Sequence, residues 1–166
     1  MLRLIGLAVF SAVMGISSAV LAQIGEGWQT YKDPTYGFSA ELPLGTFDVV
    51  SVDGIPGLAL KQIGGNATIN LHGGRAQGMT RDGLETHMEA GVNATTTYRA
   101  GGTSWFVLSG FYDGGKGEDT IYYTKVLFSP DRETFAAFEI TFPASDKPRF
   151  EDMVEHFEDN FTRPRT

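Results

Sequence analysis

The chain has 166 residues, with 13 basic and 20 acidic side chains, a formal net charge of −7 and no cysteine. Without cysteine, the chain has no disulfide, no thiol nucleophile and no thiolate metal site. Because a net-acidic protein is repelled by phosphate groups, nucleic acids and acidic membrane surfaces are not expected as partners.

The first 22 residues have the pattern of a secretory signal peptide. Arg3 precedes an uncharged apolar run of 17 residues from Leu4 to Val20. The segment ends with Val-Leu-Ala at 20–22, a pattern typical of a signal peptidase site. We predict cleavage after Ala22, which leaves a single domain of residues 23–166 with a net charge of −8 in the periplasm or outside the cell. No basic cluster follows the run, so we expect no stable membrane anchor after cleavage. A retained signal anchor is the alternative.

The start of the expected domain is predicted to form short strands. Aromatic and β-branched residues favour strands at 28–32 and 38–42, joined by a turn at 33–37. The segment 43–57 contains several glycines and prolines and is predicted to be a long connection. Two further strands, 58–63 and 67–72, are predicted on either side of a tight Gly-Gly-Asn turn.

A helix and four strands are predicted next. Leu84, His87 and Met88 share one face of a helix over 80–90, which Thr80 caps and Gly91 ends. The strands are expected at 95–99, 103–111, 120–128 and 134–142, with turn residues between them that suit antiparallel hairpins.

The last predicted helix carries the strongest helical pattern in the chain. Ser145 is expected to cap it, and Pro148 lies in its first turn, where proline is tolerated. Five apolar side chains at helical spacing form one stripe: Phe150, Met153, Val154, Phe157 and Phe161. This stripe predicts a helix packed on a sheet. The order of elements therefore predicts an α+β fold with a mostly antiparallel sheet and packed helices.

Several segments resemble the PsbP-like fold group, which includes small exported bacterial proteins of the DcrB kind. Near the start these are WQTY at 28–31, YGFS at 36–39 and LP at 42–43. Later they are WFVLSG at 105–110, YTKVLF at 123–128 and FEITFP at 138–143. The resemblance implies an α/β/α sandwich and a non-enzymatic binding or accessory role. It implies no catalytic residue, because the group has none in common.

Lys125 and Glu139 interrupt two otherwise apolar rows of neighbouring predicted strands. A three-residue turn at 131–133 would place these two side chains directly opposite each other. We therefore predict a cross-strand ion pair within salt-bridge range. An alternative interpretation is a charged spot inside a groove that binds a partner.

The sequence predicts no metal or cofactor site. Residues 114–122 fit one copy of a calcium-binding β-roll pattern, but that site needs stacked neighbouring repeats, and a glycine-rich hairpin loop explains the segment. The three histidines, His72, His87 and His156, have no spacing typical of metal ligands.

Taken together, these patterns and the resemblance predict an exported, non-enzymatic binding or accessory protein whose partner is an envelope protein. The chain has no G-x-S-x-G, no H-E-x-x-H, no P-loop and no dinucleotide fingerprint, so we expect no catalytic residue. Two alternatives stay open. One is a lipocalin-like carrier of a small apolar ligand with a closed sheet. The other is a hydrolase whose triad is assembled only in space.

Overall fold

The computed structural model describes residues 22–24, 27–54, 56–112 and 120–165, which form two antiparallel sheets and two α-helices. The signal segment before Ala22 and residues 113–119, which include the glycine-rich stretch, lie outside the described residues. Both interpretations of those segments therefore remain predictions. The elements that are described agree with the predicted α+β class.

The smaller sheet has three strands in the order β1-β2-β3. These are β1 (Ala22–Ile24), β2 (Trp28–Lys32) and β3 (Ser39–Leu42). The turn between β2 and β3 is closed by Asp33, whose carboxylate accepts hydrogen bonds from the backbone N–H groups of Thr35 and Tyr36. An aspartate that bonds its own following backbone in this way fixes a turn, which explains why the predicted strands 28–32 and 38–42 form a hairpin.

The larger sheet has seven strands in the order β4-β5-β6-β10-β9-β8-β7, and every pair is antiparallel. The strands are β4 (Phe47–Val50), β5 (Leu58–Gln62), β6 (Thr68–Arg75), β7 (Ala94–Gly101), β8 (Trp105–Tyr112), β9 (Thr120–Phe128) and β10 (Thr134–Pro143). Among the described residues the sheet is open, with β4 and β7 at its edges. A closed lipocalin-like sheet is therefore the wrong architecture for this chain.

The strand β4 corrects the predicted long connection at 43–57. It pairs with β5 from Phe47 to Val50, and the buried ring of Phe47 belongs to the core. The surrounding glycines and prolines are loop signals, and they outweigh four strand residues when the segment is read alone. Pairing with β5 supplies the stability that the segment lacks locally.

Both predicted helices are present. The first, α1 (Arg81–Gly91), begins after Thr80, whose side chain accepts a hydrogen bond from the N–H of Gly83. The second, α2 (Lys147–Asn160), follows a single 3₁₀ turn that contains Ser145, so the predicted Ser145 cap is wrong. No helix in the described part of the chain is long and apolar enough to cross a membrane.

The two helices lie on opposite faces of the seven-stranded sheet. On the α2 face, the sheet, α2 and the three-stranded sheet enclose a core that contains Phe138, Phe150 and Phe157. On the α1 face, Leu84 packs with a smaller cluster that contains Phe106 and Phe128. The apolar stripe of α2 therefore packs inward as predicted, and the three layers form the expected α/β/α sandwich.

Candidate functional site

A cleft of about 330 Å³ lies between α1 and the α1 face of the sheet. One wall is the second half of α1 with the residues that follow it, and the floor is formed by β6, β8, β9 and β10. Most of its lining surface is apolar, and the residues that contribute to this surface include Leu84, Met88, Val92, Leu108 and Phe135. An apolar cleft with a few converging polar groups is the usual form of a binding site.

Glu139 is the central polar group of this cleft. Its Oε1 accepts a hydrogen bond from the Tyr112 hydroxyl at 2.9 Å, and its Oε2 accepts one from Thr124 Oγ1 at 3.0 Å. The side chain forms no ion pair with any residue in the described ranges. Two neutral donors offset part of the cost of desolvating a carboxylate, but they leave its charge uncompensated.

The titratable groups Tyr112, which bonds Glu139, and His72 of the cleft are both in their neutral forms near neutral pH. Burial, together with the carboxylate of Glu139, raises the pKa of Tyr112, so its hydroxyl stays protonated and acts as a donor. Burial also lowers the pKa of His72, which lines the same cleft, so its ring favours the neutral form. Neither group supplies a positive charge to Glu139 near neutral pH.

The acidic groups at the rim of the cleft are already paired. Arg99 of β7 donates to Glu89 of α1, with Nη1 to Oε2 at 2.7 Å, and this bond lowers the pKa of Glu89. Arg81 pairs with Glu85 at 2.5 Å within the helix. Arg99 also lies 3.9 Å from Glu85, so the two pairs that Arg99 makes fix α1 relative to the sheet edge. Glu139 is therefore the carboxylate of the cleft that is available to a cationic ligand.

The predicted ion pair between Lys125 and Glu139 is wrong. In the register of β9 with β10, Lys125 lies opposite Phe138, whereas Glu139 lies opposite Thr124. Adjacent strand positions point to opposite faces, so Glu139 belongs to the α1 face and Lys125 to the α2 face. Lys125 pairs instead with Glu158 of α2 at 2.9 Å, beside the ring of Trp105.

The three histidines occupy two places in the fold. His72 and His87 line the cleft, whereas His156 of α2 bonds Glu41 of β3 at 2.5 Å and stacks on Trp28. Within the described ranges, no three histidine or acidic side chains are grouped so that they could hold a metal ion. The expectation that no metal is bound stays a prediction.

Sequence reasoning singled out Glu139 but missed its surroundings. Tyr112 and Thr124 lie on two other strands, and only the observed register brings their hydroxyls to the carboxylate. The available signal was the charge of Glu139 within a row of apolar residues, which marks a partner or a functional position. That signal does not say which face the residue occupies.

Two solved structures resemble this chain in fold over most of its length. Cyanobacterial PsbP (CyanoP) from Synechocystis sp. PCC 6803 aligns with a TM-score of 0.59 and 12% identity, over 86% of this chain and 98% of that chain. The Ran-binding protein Mog1p of Saccharomyces cerevisiae aligns with a TM-score of 0.56 and 10% identity, over 87% and 96%. The chain has a PsbP-like fold.

No family model and no curated protein matches the chain. At such low identity, the PsbP-like likeness establishes the fold and leaves the function to be argued from the site.

Proposed function

We propose that this protein is an exported, non-enzymatic accessory module of the cell envelope, and that it binds a partner protein through the α1 cleft. In this proposal a lysine or arginine side chain of the partner enters the cleft and pairs with Glu139. The observation that carries the proposal is the carboxylate of Glu139, which is held by two hydroxyl donors in an apolar cleft and forms no ion pair within the described ranges.

The chemistry of the cleft favours a long basic side chain as the ligand. Lysine and arginine have apolar stems and charged ends, so their stems pack on apolar walls while their charge reaches a carboxylate. Leu84, Met88 and Phe135 supply such walls, and Glu139 supplies the acceptor. A cation at this position gives the carboxylate a charge-assisted bond that the two hydroxyls do not provide.

Three further observations support export and the recognition of a protein. The first 22 residues have the pattern of an export signal, and the acidic domain that follows suits a basic surface on a partner. One protein with the same fold, Mog1p, is named as Ran-binding, so a PsbP-like fold is compatible with protein recognition.

Site-specific photocrosslinking in the cells that produce the protein tests the proposal. His87 is exposed and lines the cleft, so a photoreactive amino acid at this position samples whatever occupies it. The exposed Lys61 of β5 lies outside the lining and serves as the control position. We expect a specific protein adduct from position 87 and none of the same mass from position 61.

The variant Glu139→Gln distinguishes recognition of the carboxylate charge from non-specific apolar binding in the cleft. It removes the charge at nearly constant size, so the adduct at position 87 should fall about tenfold, as expected for the loss of a partly buried charge pair. The matched control is Glu133→Gln, which makes the same change at an exposed residue just before β10, outside the lining of the cleft. An adduct that survives Glu139→Gln, or none from position 87, would contradict the proposal.

A further inference from the structure

The α2 face contains an apolar surface that continues beyond the helix that covers it. Phe142, Ile121 and Phe111 form one row across β10, β9 and β8, and their exposed fractions rise from 4% to 8% to 37%. Phe150 of α2 stacks on the inner end of this row, with ring centroids 4.7 Å apart. The outer end of the row therefore extends past the helix into solvent.

A second row runs beside the first and also ends in an exposed aromatic ring. Ile140, Tyr123, Ser109 and Tyr98 are aligned across β10, β9, β8 and β7, and Tyr98 is 55% exposed. Exposed aromatic rings at the end of a buried row are unusual for a solvent-facing sheet and common in the centre of protein interfaces.

The side of α2 that borders this surface is acidic. Glu151, Glu155 and Glu158 lie on one side of the helix and line a groove of about 410 Å³ together with Ile121 and Tyr123. Lys147 pairs with Glu151, and Lys125 pairs with Glu158. No ion pair engages Glu155 among the described residues. The groove thus combines an apolar floor with a wall of excess negative charge.

The dimensions of the open area suit one additional helix. Since α2 packs on β10, the strands β8 and β7 lie two and three positions away, which corresponds to about 10 and 14 Å at the usual strand spacing. Packed helices lie about 8–10 Å apart, so a helix beside α2 would rest on the outer strands that carry Phe111 and Tyr98.

The diagonally opposite open area of the sheet does not share these properties. On the α1 face beyond the cleft, β4, β5 and β6 present Asp48, Lys61, Thr68 and Asn70. Thr68 bonds Thr141 of β10 at 2.6 Å. This polar area is typical of a surface that faces water. The contrast favours a binding surface at the aromatic area on the α2 face.

We infer that the groove along α2, together with the aromatic area on β7 and β8 beside it, binds an amphipathic helix with basic residues, supplied by a partner protein. Its apolar side would cover Phe111 and Tyr98, and its basic residues would face Glu155 and Glu151. This surface lies on the opposite face of the sheet from the α1 cleft, so the inference is independent of the function proposed for Glu139.

NMR titration of the full protein with a synthetic peptide tests the inference. The probe is a helical peptide of about 18 residues, built from leucine and lysine in an amphipathic pattern and long enough to form a helix. The control peptide has the same composition in an order without an apolar face. We expect the largest shift changes at Phe111, Tyr98 and Glu155, and only weak changes with the control peptide.

Three protein variants decide the outcome. The double variant Tyr98→Ser/Phe111→Ser and the single variant Glu155→Lys should each weaken binding of the amphipathic peptide about tenfold. Asp48→Lys makes the same charge change on the polar area and should leave the affinity within about twofold. Because all these side chains except Phe111 are well exposed, the variants are expected to fold.

Four results would overturn the inference. They are equal binding of the two peptides, equal weakening by Glu155→Lys and Asp48→Lys, loss of peptide binding in Glu139→Gln, and self-association of the free protein through Phe111. The third result would place the peptide in the α1 cleft, and the fourth would make a second copy of the chain the occupant. The fate of the photocrosslink at position 87 bears on none of these four results.

Discussion

The two faces of the seven-stranded sheet are covered by helices that bury different amounts of apolar side chain, and the proposed binding site lies on the face where less is buried. On the α2 face, aromatic rings from α2, β10 and the three-stranded sheet fill the space under the helix. On the α1 face, the helix buries two side chains, Leu84 and Glu85, of which only Leu84 is apolar. A cleft remains beside Leu84. The shorter helix, which buries one apolar side chain, therefore leaves a cleft between itself and the sheet.

The largest effect expected from this difference concerns the two cores. Phe157 is fully buried against Phe138 and Trp28, so Phe157→Ala should lower the free energy of unfolding by about 3–5 kcal/mol. Leu84→Ala should cost about 2–3 kcal/mol, at the lower end of the range for leucine, since the cleft beside it already limits its packing. Chemical denaturation of both variants measures this contrast, and equal losses would show that the two faces contribute alike.

Two neighbouring glycines of β6 sharpen the comparison, because each faces a different side of the sheet. Tyr36 packs over Gly73 on the α2 face, and Phe135 packs over Gly74 on the α1 face. An added Cβ would meet the base of the Tyr36 ring but only the far end of the Phe135 ring. Gly73→Ala should therefore cost about 1–3 kcal/mol, by overpacking, and Gly74→Ala about 1 kcal/mol or less. Thermal and chemical unfolding would reveal the order, and a reversed order would contradict the assignment of faces.

A double-mutant cycle tests the position of Lys125. Lys125 and Glu158 are both partly buried and in contact, so the variants Lys125→Met and Glu158→Gln should show a coupling of about 0.5–1 kcal/mol. Lys125→Met and Glu139→Gln should be additive within about 0.3–0.5 kcal/mol, because the sheet separates the two side chains. A larger coupling of Lys125 with Glu139 than with Glu158 would restore the cross-strand pair.

The smallest effect expected is a dependence of stability on pH that arises in the cleft. Burial lowers the pKa of His72 from its ordinary 6.5, so the unfolded chain binds this proton more readily than the folded protein. Stability from the neutral ring is present above pH 6.5 and is lost as the pH falls below it toward the folded pKa. His72→Gln should flatten the unfolding free energy over this range. The same substitution at the exposed His87 is the matched control, and equal flattening in both variants would exclude His72 as the source.

Both helices and most strands have local patterns and could be predicted from the sequence, whereas β4 and the register of β9 with β10 could not. The stripe of α2 and the cap of α1 are local patterns, so both helices are found where they were expected. The strand β4 has no such pattern and depends on β5. Alternation along β9 and β10 was visible, but the face that each alternate row occupies was not.

The error at Lys125 and Glu139 arose from a single loop. A loop of three residues between β9 and β10 would put these side chains opposite each other. The observed hairpin instead closes with the N–H of Ser129 donating to the carbonyl of Thr134 at 2.9 Å, which leaves residues 130–133 in the loop. One additional loop residue shifts the pairing by one position and turns a side chain to the other face. The position of Glu139 in the candidate cleft depends on that register, so the cleft could not be predicted from the sequence alone.

Residues 161–165 run along the start of β3 and the turn before it. The N–H groups of Thr162 and Arg165 donate to the carbonyls of Ser39 and Tyr36, and Phe161 packs on Phe38. The β2–β3 hairpin thus lacks these partners until residues 161–165 have been synthesised. Contacts between such distant segments form slowly. A newly made chain of this kind stays unfolded for longer, which would suit passage through a translocation channel if the protein is exported as proposed.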